Sequence, residues 1–390
     1  MSARETKEQD GKPAAHPLDP CELAPGYVRA IAPYQPGKPI TELAREFGLD
    51  ERGIVKLASN ENPLGLSPRA RAAIEAALPD LARYPDGLDL TKALSVRLGV
   101  GMERIVLGNG SNDVLEMVAG AFLAPGRAAV FAQHAFAVYP LATQARGAQS
   151  IVVAAKAYGH DLAGMLAAIT PETRVVFIAN PNNPTGTMIP ADEIEAFLRR
   201  APRGVLVVLD EAYNEYLEPP LRCPSVAWLA RFPNLVVVRT FSKAYGLAGL
   251  RVGYGLCHPD VAAMLNRVRQ PFNVNNLALV GAIAALGDEE FVERSFQLNA
   301  AGMKQLVAGL ERLGLKWIPS YANFVSVEIP RAAGQSAAGA VYQGLLRQGV
   351  IVRPIAGYEL PDHLRVTVGL PEENERFLAA LEKALGKGAP

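Results

Sequence analysis

Leu235-Val236-Val237-Val238-Arg239-Thr240-Phe241-Ser242-Lys243 begins with four apolar residues and ends on polar ones. An apolar run without polar alternation marks a strand covered on both faces. The same arrangement recurs upstream. Val205-Leu206-Val207-Val208-Leu209 leads into Asp210-Glu211-Ala212-Tyr213, and Arg174-Val175-Val176-Phe177-Ile178 into the loop 180–186, Asn180-Pro181-Asn182-Asn183-Pro184-Thr185-Gly186. A strand over 104–107 leads into Gly108-Asn109-Gly110-Ser111-Asn112-Asp113. Residues 112–122 and 191–199 carry apolar positions at helical spacing. Strands alternating with helices predict an α/β fold with a mainly parallel sheet. In such open sheets ligands bind beyond the carboxyl ends of the strands, where these polar residues fall.

Beyond about residue 280 the pattern changes. A helical stretch over 289–313 precedes short strands at 323–327, 350–353 and 364–368, and a helix over 373–385 follows. Few strands and a trailing helix predict a smaller α+β domain. The expected division is a disordered polar tail at 1–20, an arm at 21–55, a large domain at 56–280 and a small one at 281–390.

Composition narrows the classes of function. The 390 residues are 49% hydrophobic and 20% charged, enough apolar content for a large core. Lys+Arg and Asp+Glu both number 39, and no basic block stands out, so neither nucleic acid nor a membrane surface is an expected partner. Three scattered cysteines, Cys21, Cys223 and Cys257, suit a reducing compartment. The opening residues hold no apolar segment of the kind a secretory signal needs, and no stretch is apolar enough for a span; the cytoplasm is the expected location. The five histidines lack ligand spacing, so no metal site is expected.

The strand ends can bring together an amine (Lys243), a carboxylate (Asp210), a phenol (Tyr213), an amide (Asn183) and a phosphate cradle. That set suits pyridoxal 5'-phosphate. An amine forms the imine with its aldehyde, and a carboxylate keeps the pyridine nitrogen protonated so that the ring accepts electrons. A helix start with hydroxyls and an arginine holds the phosphate. Gly108-Asn109-Gly110 superficially suggests a dinucleotide fingerprint, but Asp113 stands at the third glycine position.

Thr240-Phe241-Ser242-Lys243-Ala244-Tyr245-Gly246-Leu247-Ala248-Gly249-Leu250-Arg251-Val252-Gly253 resembles the lysine signature of fold-type-I aminotransferases. The histidinol-phosphate aminotransferases are the most similar group. Ser59-Asn60-Glu61-Asn62-Pro63, Tyr84-Pro85-Asp86, Gly108-Asn109-Gly110-Ser111, Asn182-Asn183-Pro184-Thr185-Gly186, Asp210-Glu211-Ala212-Tyr213 and Leu364-Arg365-Val366-Thr367-Val368-Gly369 also resemble theirs, in the same order.

The resemblance implies Lys243 as the Schiff-base lysine and proton shuttle, and Asp210 as partner of the pyridine N–H. It implies Tyr213 and Asn183 at the ring oxygen, and Ser111, Asn112, Thr240, Ser242 and Arg251 around the phosphate. Phe136 takes the position of the ring that stacks on the cofactor. Tyr84 would reach the cofactor phosphate of a neighbouring subunit, which implies a homodimer with shared sites. Arg365 would clamp the substrate α-carboxylate, with Asn62 as a further substrate contact. Arg353, in Ile351-Val352-Arg353-Pro354, offers either a second positive charge for a phosphate-bearing substrate or a surface ion pair.

The implied reaction runs between L-histidinol phosphate as amino donor and 2-oxoglutarate, a 2-oxo acid, as acceptor, in histidine biosynthesis. An aromatic-amino-acid aminotransferase is the rival on the same fold, because the stretch from Arg353 to Pro361 shapes the side-chain pocket and the cofactor motifs do not. A phospho-amino-acid decarboxylase is more distant. A cofactor-binding regulatory module would need a DNA-binding segment, and the first 55 residues lack the basic helix pair for one.

Overall fold

The computed structural model describes residues 19–35, 37–332 and 334–386. The tail expected over 1–20 therefore lies outside the described residues, save for Asp19 and Pro20.

Seven strands form one sheet: β2 (Ile105–Gly108), β3 (Ala128–Ala132), β4 (Gln149–Val153), β5 (Thr173–Ala179), β6 (Leu206–Asp210), β7 (Leu235–Thr240) and β8 (Gly253–Leu256), preceded in the chain by the short β1 (Val55–Lys56). Their order is β2-β8-β7-β6-β5-β3-β4, with β8 antiparallel to both its neighbours and the other pairings parallel. The β-branched runs behave as expected of doubly covered strands. Val207, Leu209, Val237, Val176 and Ile178 enter the core on one face, and Val208, Val236, Val238, Val175 and Phe177 enter the core on the other.

The C-terminal part adds β9 (Lys316–Ile318), β10 (Phe324–Glu328), β11 (Val350–Ile351), β12 (Arg353–Pro354) and β13 (His363–Thr367). Four of them form an antiparallel sheet in the order β12-β13-β10-β9. The single strand expected over 350–353 is two strands. Val350 and Ile351 pair in parallel with Val55 and Lys56, whereas Arg353 and Pro354 pair with Arg365 and Leu364. The buried Val352 is the pivot between them. In β13, period-2 alternation sends Leu364 and Val366 into the core with the helices Glu289–Arg312 and Pro371–Ala384. Arg365 and Thr367 consequently face the opposite way, toward the seven-stranded sheet.

Loops lock the two sheets together. Ser326 Oγ donates to the Pro184 carbonyl at 2.6 Å, and Asn323 Nδ2 to the Asn60 carbonyl at 3.1 Å. The loop after Lys243 meets the loop at Gly65 backbone to backbone. Gly246 has φ +70°, and a Cβ there would stand 1.9 Å from the Gly65 carbonyl oxygen. Gly65 itself has φ +71° but open space around it. Both positions disfavour a side chain through φ, and only Gly246 adds a backbone collision. Gly65→Ala should thus cost about 1 kcal/mol in chemical denaturation, and Gly246→Ala clearly more, about 2–4 kcal/mol. Equal costs would show that the close approach does not matter.

Candidate active site

The carboxyl ends of β2, β3, β5, β6 and β7 converge on a cavity of about 210 Å³ between the two sheets. Lys243, Asp210, Tyr213 and Asn183 line it, with Phe136 from the turn after β3. Ser111, Asn112, Thr240, Ser242 and Arg251 form another part of the wall, and Arg365 and Arg353 reach in from the smaller sheet.

Asp210 ends β6 and is only 5% exposed. Its Oδ2 accepts from Tyr139 Oη at 2.9 Å and its Oδ1 from the Ala212 amide at 3.3 Å. Among the described residues it forms no ion pair. Burial pushes its pKa up to about 6, against the pull of the Tyr139 hydrogen bond and of Lys243. Lys243 is shifted the other way. Burial, then the nearby Arg365, lowers its amine to about 8. Its Nζ donates to the Ser59 carbonyl at 3.2 Å and stands 5.8 Å from the Tyr213 ring centre. An amine of this kind is neutral, and so nucleophilic, over far more of the ordinary pH range than a solvated lysine. Burial raises the Tyr213 phenol to about 12, and its oxygen accepts from Asn60 Nδ2 at 2.9 Å.

On the phosphate-like side, the helix Ser111–Phe122 begins after Gly110 with no side chain capping it. Its first N–H groups and its dipole therefore favour an anion. Arg251, at φ 59°, donates to Ser242 Oγ at 3.3 Å, and Thr240 Oγ1 donates to Ser242 Oγ at 3.0 Å. Gly110 is needed for this cradle, because a Cβ there would stand 2.4 Å from an Arg251 nitrogen. A buried carboxylate without a cation, a neutralisable amine and an uncapped helix start beside an arginine together fit pyridoxal 5'-phosphate.

The substrate side is cationic. Arg353 and Arg365 stand directly opposite each other across β12 and β13. Arg365 is 6% exposed; it donates to Asn183 Oδ1 at 2.5 Å and to the Ala58 carbonyl at 2.9 Å, and its Nε is buried without a partner. Arg353 lies over the Tyr34 ring and donates to the Gln35 carbonyl. Like charges directly opposite each other are unfavourable, and an anionic ligand relieves that.

Two expected residues lie elsewhere. Asn62 is not at the cavity: its Nδ2 is committed to the Ala244 carbonyl at 2.9 Å and Ser295 Oγ at 2.8 Å, and Asn60 of the same motif faces the cavity instead. Tyr84 is 80% exposed, stacked on Phe272 at 4.4 Å on the outer surface. Sequence reasoning missed Tyr34, Tyr358 and Tyr139. Tyr139 carried a signal, since it falls one helical turn after Phe136. Tyr358 carried little, because its place depends on His134 Nδ1 donating to its carbonyl at 2.7 Å across a long sequence gap.

Residues 52–381 match the family described as aminotransferase class I and II. The chain is 63% identical over 367 residues to histidinol-phosphate aminotransferase 2 of Nitrosospira multiformis, covering 94% of this chain and 92% of that one. It is 62% identical over 364 residues to histidinol-phosphate aminotransferase 1 of Dechloromonas aromatica, covering 93% and 99%. Its fold superposes with a TM-score of 0.84 on the crystal structure of the histidinol-phosphate aminotransferase from Sinorhizobium meliloti in complex with pyridoxal-5'-phosphate, at 29% identity and with coverage of 93% and 98%. With these likenesses on a site that fits the cofactor, the chain belongs to the class I and II aminotransferases and, within them, to the histidinol-phosphate aminotransferase family.

Proposed function

We propose that this enzyme transfers the amino group of L-histidinol phosphate to 2-oxoglutarate, giving imidazole-acetol phosphate and L-glutamate. The observation that carries the substrate reading is the pair Arg353 and Arg365, opposed across two strands in the same cavity as Lys243. One donor with a phosphate and one acceptor with two carboxylates must use a single site in turn, and two adjacent guanidinium groups supply anion contacts for both.

Pyridoxal 5'-phosphate, when bound, supplies an aldehyde for the amino group and a ring that accepts the electrons released at the α-carbon. Lys243 would hold it covalently until the donor's amino group takes its place. Asp210, oriented by Tyr139, would set its negative charge against the ring nitrogen. Tyr213 and the remaining amide protons of Asn183 would hydrogen-bond the ring oxygen, and Phe136 would pack against the ring face. Ser111, Asn112, Thr240, Ser242 and Arg251 would hold the phosphate. During turnover Lys243 Nζ takes the proton from the donor's α-carbon and, in the second half-reaction, returns one to the α-carbon of the acceptor. Tyr34 and Tyr358 line the cavity in which this transfer takes place.

The active species in this reading is a homodimer in the cytoplasm. Support comes from Tyr84 and Phe272, which stack at 4.4 Å while 80% and 58% exposed. Apolar groups clustered in this way mark a contact face, and Tyr84 would complete a partner's phosphate site.

The substrate reading is tested by kcat/KM for histidinol phosphate against phenylalanine and tyrosine, with 2-oxoglutarate as acceptor. Histidinol phosphate should be strongly preferred; a preference for phenylalanine would favour the aromatic aminotransferase. Loss of a charge-assisted contact is worth on the order of 1.5–3 kcal/mol, so Arg365→Ala should lower kcat/KM in both half-reactions by about one to two decades. Arg353→Ala should impair one half-reaction more than the other.

Asp210 offers a test that does not depend on turnover. Its folded pKa lies above that of an unfolded aspartate, so its burial is harmless at low pH and destabilises the apoprotein as pH rises through about 6. Apoprotein Asp210→Asn should accordingly melt higher than the parent apoprotein at pH 7.5, with the gap closing toward pH 4. With cofactor bound the order should reverse, and the half-reaction should slow by orders of magnitude. An apoprotein gap independent of pH, or a variant half-reaction at the parental rate, would remove Asp210 from this role.

For the shared site, an inactive Tyr84→Ala protein mixed with an inactive Lys243→Ala protein should regain part of the activity once subunits exchange, because one hybrid site keeps both residues. No recovery despite confirmed exchange would mean sites built from one chain.

A further inference from the structure

Behind the strand ends that carry Asp210 and Lys243 lies a charged pair that the amino transfer as described does not use. Glu211 follows Asp210, and strand alternation turns it away from the cavity. It is 2% exposed. Its Oε2 accepts from Arg239 Nε at 2.9 Å and Ser225 Oγ at 2.9 Å, with a second Arg239 nitrogen at 2.8 Å. Its Oε1 is buried with no partner. Arg239 lies on the neighbouring strand, four residues before Lys243, and Glu211 is its only ion-pair partner among the described residues.

The consequence for Asp210 follows from its surroundings. Burial works against its ionised form; Tyr139, the Ala212 amide and Lys243 favour that form, and Glu211 opposes it. Tyr213 stands nearby as a neutral phenol. Arg239 in turn faces Glu211, the half-buried Glu215 and Tyr254. Without the guanidinium, a bare carboxylate would sit next to Asp210 in a low-dielectric interior, and like charges there favour protonation. A protonated Asp210 cannot hold a ring nitrogen positive.

We propose that Arg239 is a positioning residue of the amino transfer: by neutralising Glu211 it keeps Asp210 ionised, so that its charge rather than its cross-strand contact matters to the chemistry. This rests on the role proposed for Asp210, and the two fail separately. A fast Asp210→Asn half-reaction sinks the role of Asp210, whereas the experiment below can fail with Asp210→Asn slow.

The test uses holoenzymes of Arg239→Met, Arg239→Lys, Glu211→Gln and the double variant Arg239→Met/Glu211→Gln. Cofactor occupancy and melting temperature are checked for each. The reading is the single-turnover rate with the amino donor, followed by the visible absorbance of the bound cofactor. Arg239→Met should slow the half-reaction about tenfold or more below neutral pH, with the acid-side fall of its rate moved to higher pH. Arg239→Lys should stay closer to the parent. The double variant removes the ion pair altogether yet should return to within about threefold of the parent, because no bare carboxylate remains next to Asp210. A double variant as slow as Arg239→Met would show that the cross-strand contact, not the charge, is what counts, and would overturn the proposal. So would Arg239→Met at the parental rate. Should Arg239→Met fail to fold, Glu211→Gln alone decides: the acid-side fall of the half-reaction rate must move to lower pH, and an unmoved or raised fall overturns the proposal.

Discussion

A carboxylate, an amine and a guanidinium share one cavity, and Asp210, Lys243 and Arg365 form no ion pair with one another. Much of the surrounding structure serves that constraint. Desolvated charges without partners are unfavourable, so they persist only where rigid elements over-determine their positions. Here each is fixed by a different piece of the fold: Asp210 by a central strand, Lys243 by a loop pressed against Gly65, and Arg365 by a strand of the other sheet. Ligands of opposite charge turn these unpaired charges into binding free energy.

The two sheets make this arrangement jointly, and the residues between them are mostly amides and hydroxyls. Asn60 is the hub. Its amide N–H donates to Thr367 Oγ1 at 2.9 Å, its side chain donates to Tyr213 Oη, and its carbonyl accepts from Asn323. A short loop thereby links the phenol at the cofactor side to the strand that carries Arg365. Neutral hydrogen bonds can join the two halves in this way without altering the electrostatics of the three charged groups.

Much of this was legible in the sequence because its signals were local. Runs such as Val236-Val237-Val238 reveal a doubly buried strand, and Asp210 or Lys243 declares itself by standing at the end of one. The antiparallel β8 was not legible, because Gly253-Tyr254-Gly255-Leu256 is half glycine and lacks the β-branched signature. The break at Val352 escaped notice for a related reason: four apolar or amphipathic residues in a row carry no mark of which sheet each joins. Asn62 and Asn60 could not be told apart by type or spacing. Only the turn, with Asn60 at φ 56°, decides which amide faces the cavity. Arg239 and Glu211 looked like solvated charges flanking a strand, and their mutual burial is a product of tertiary packing.

The short parallel pairing of Val55 and Lys56 with Val350 and Ile351 bears on how the chain is made. The two partners are separated by most of the polypeptide, so nascent β1 leaves the ribosome long before its mate exists. Loop closure over such a span is among the slower steps of folding. The seven-stranded sheet, by contrast, is complete in sequence once Leu256 has been synthesised. During translation, therefore, the cofactor-facing strand ends can assemble first, with the apolar Val55 and Leu57 waiting uncovered. The segment that closes over them arrives last and brings both arginines of the substrate side with it.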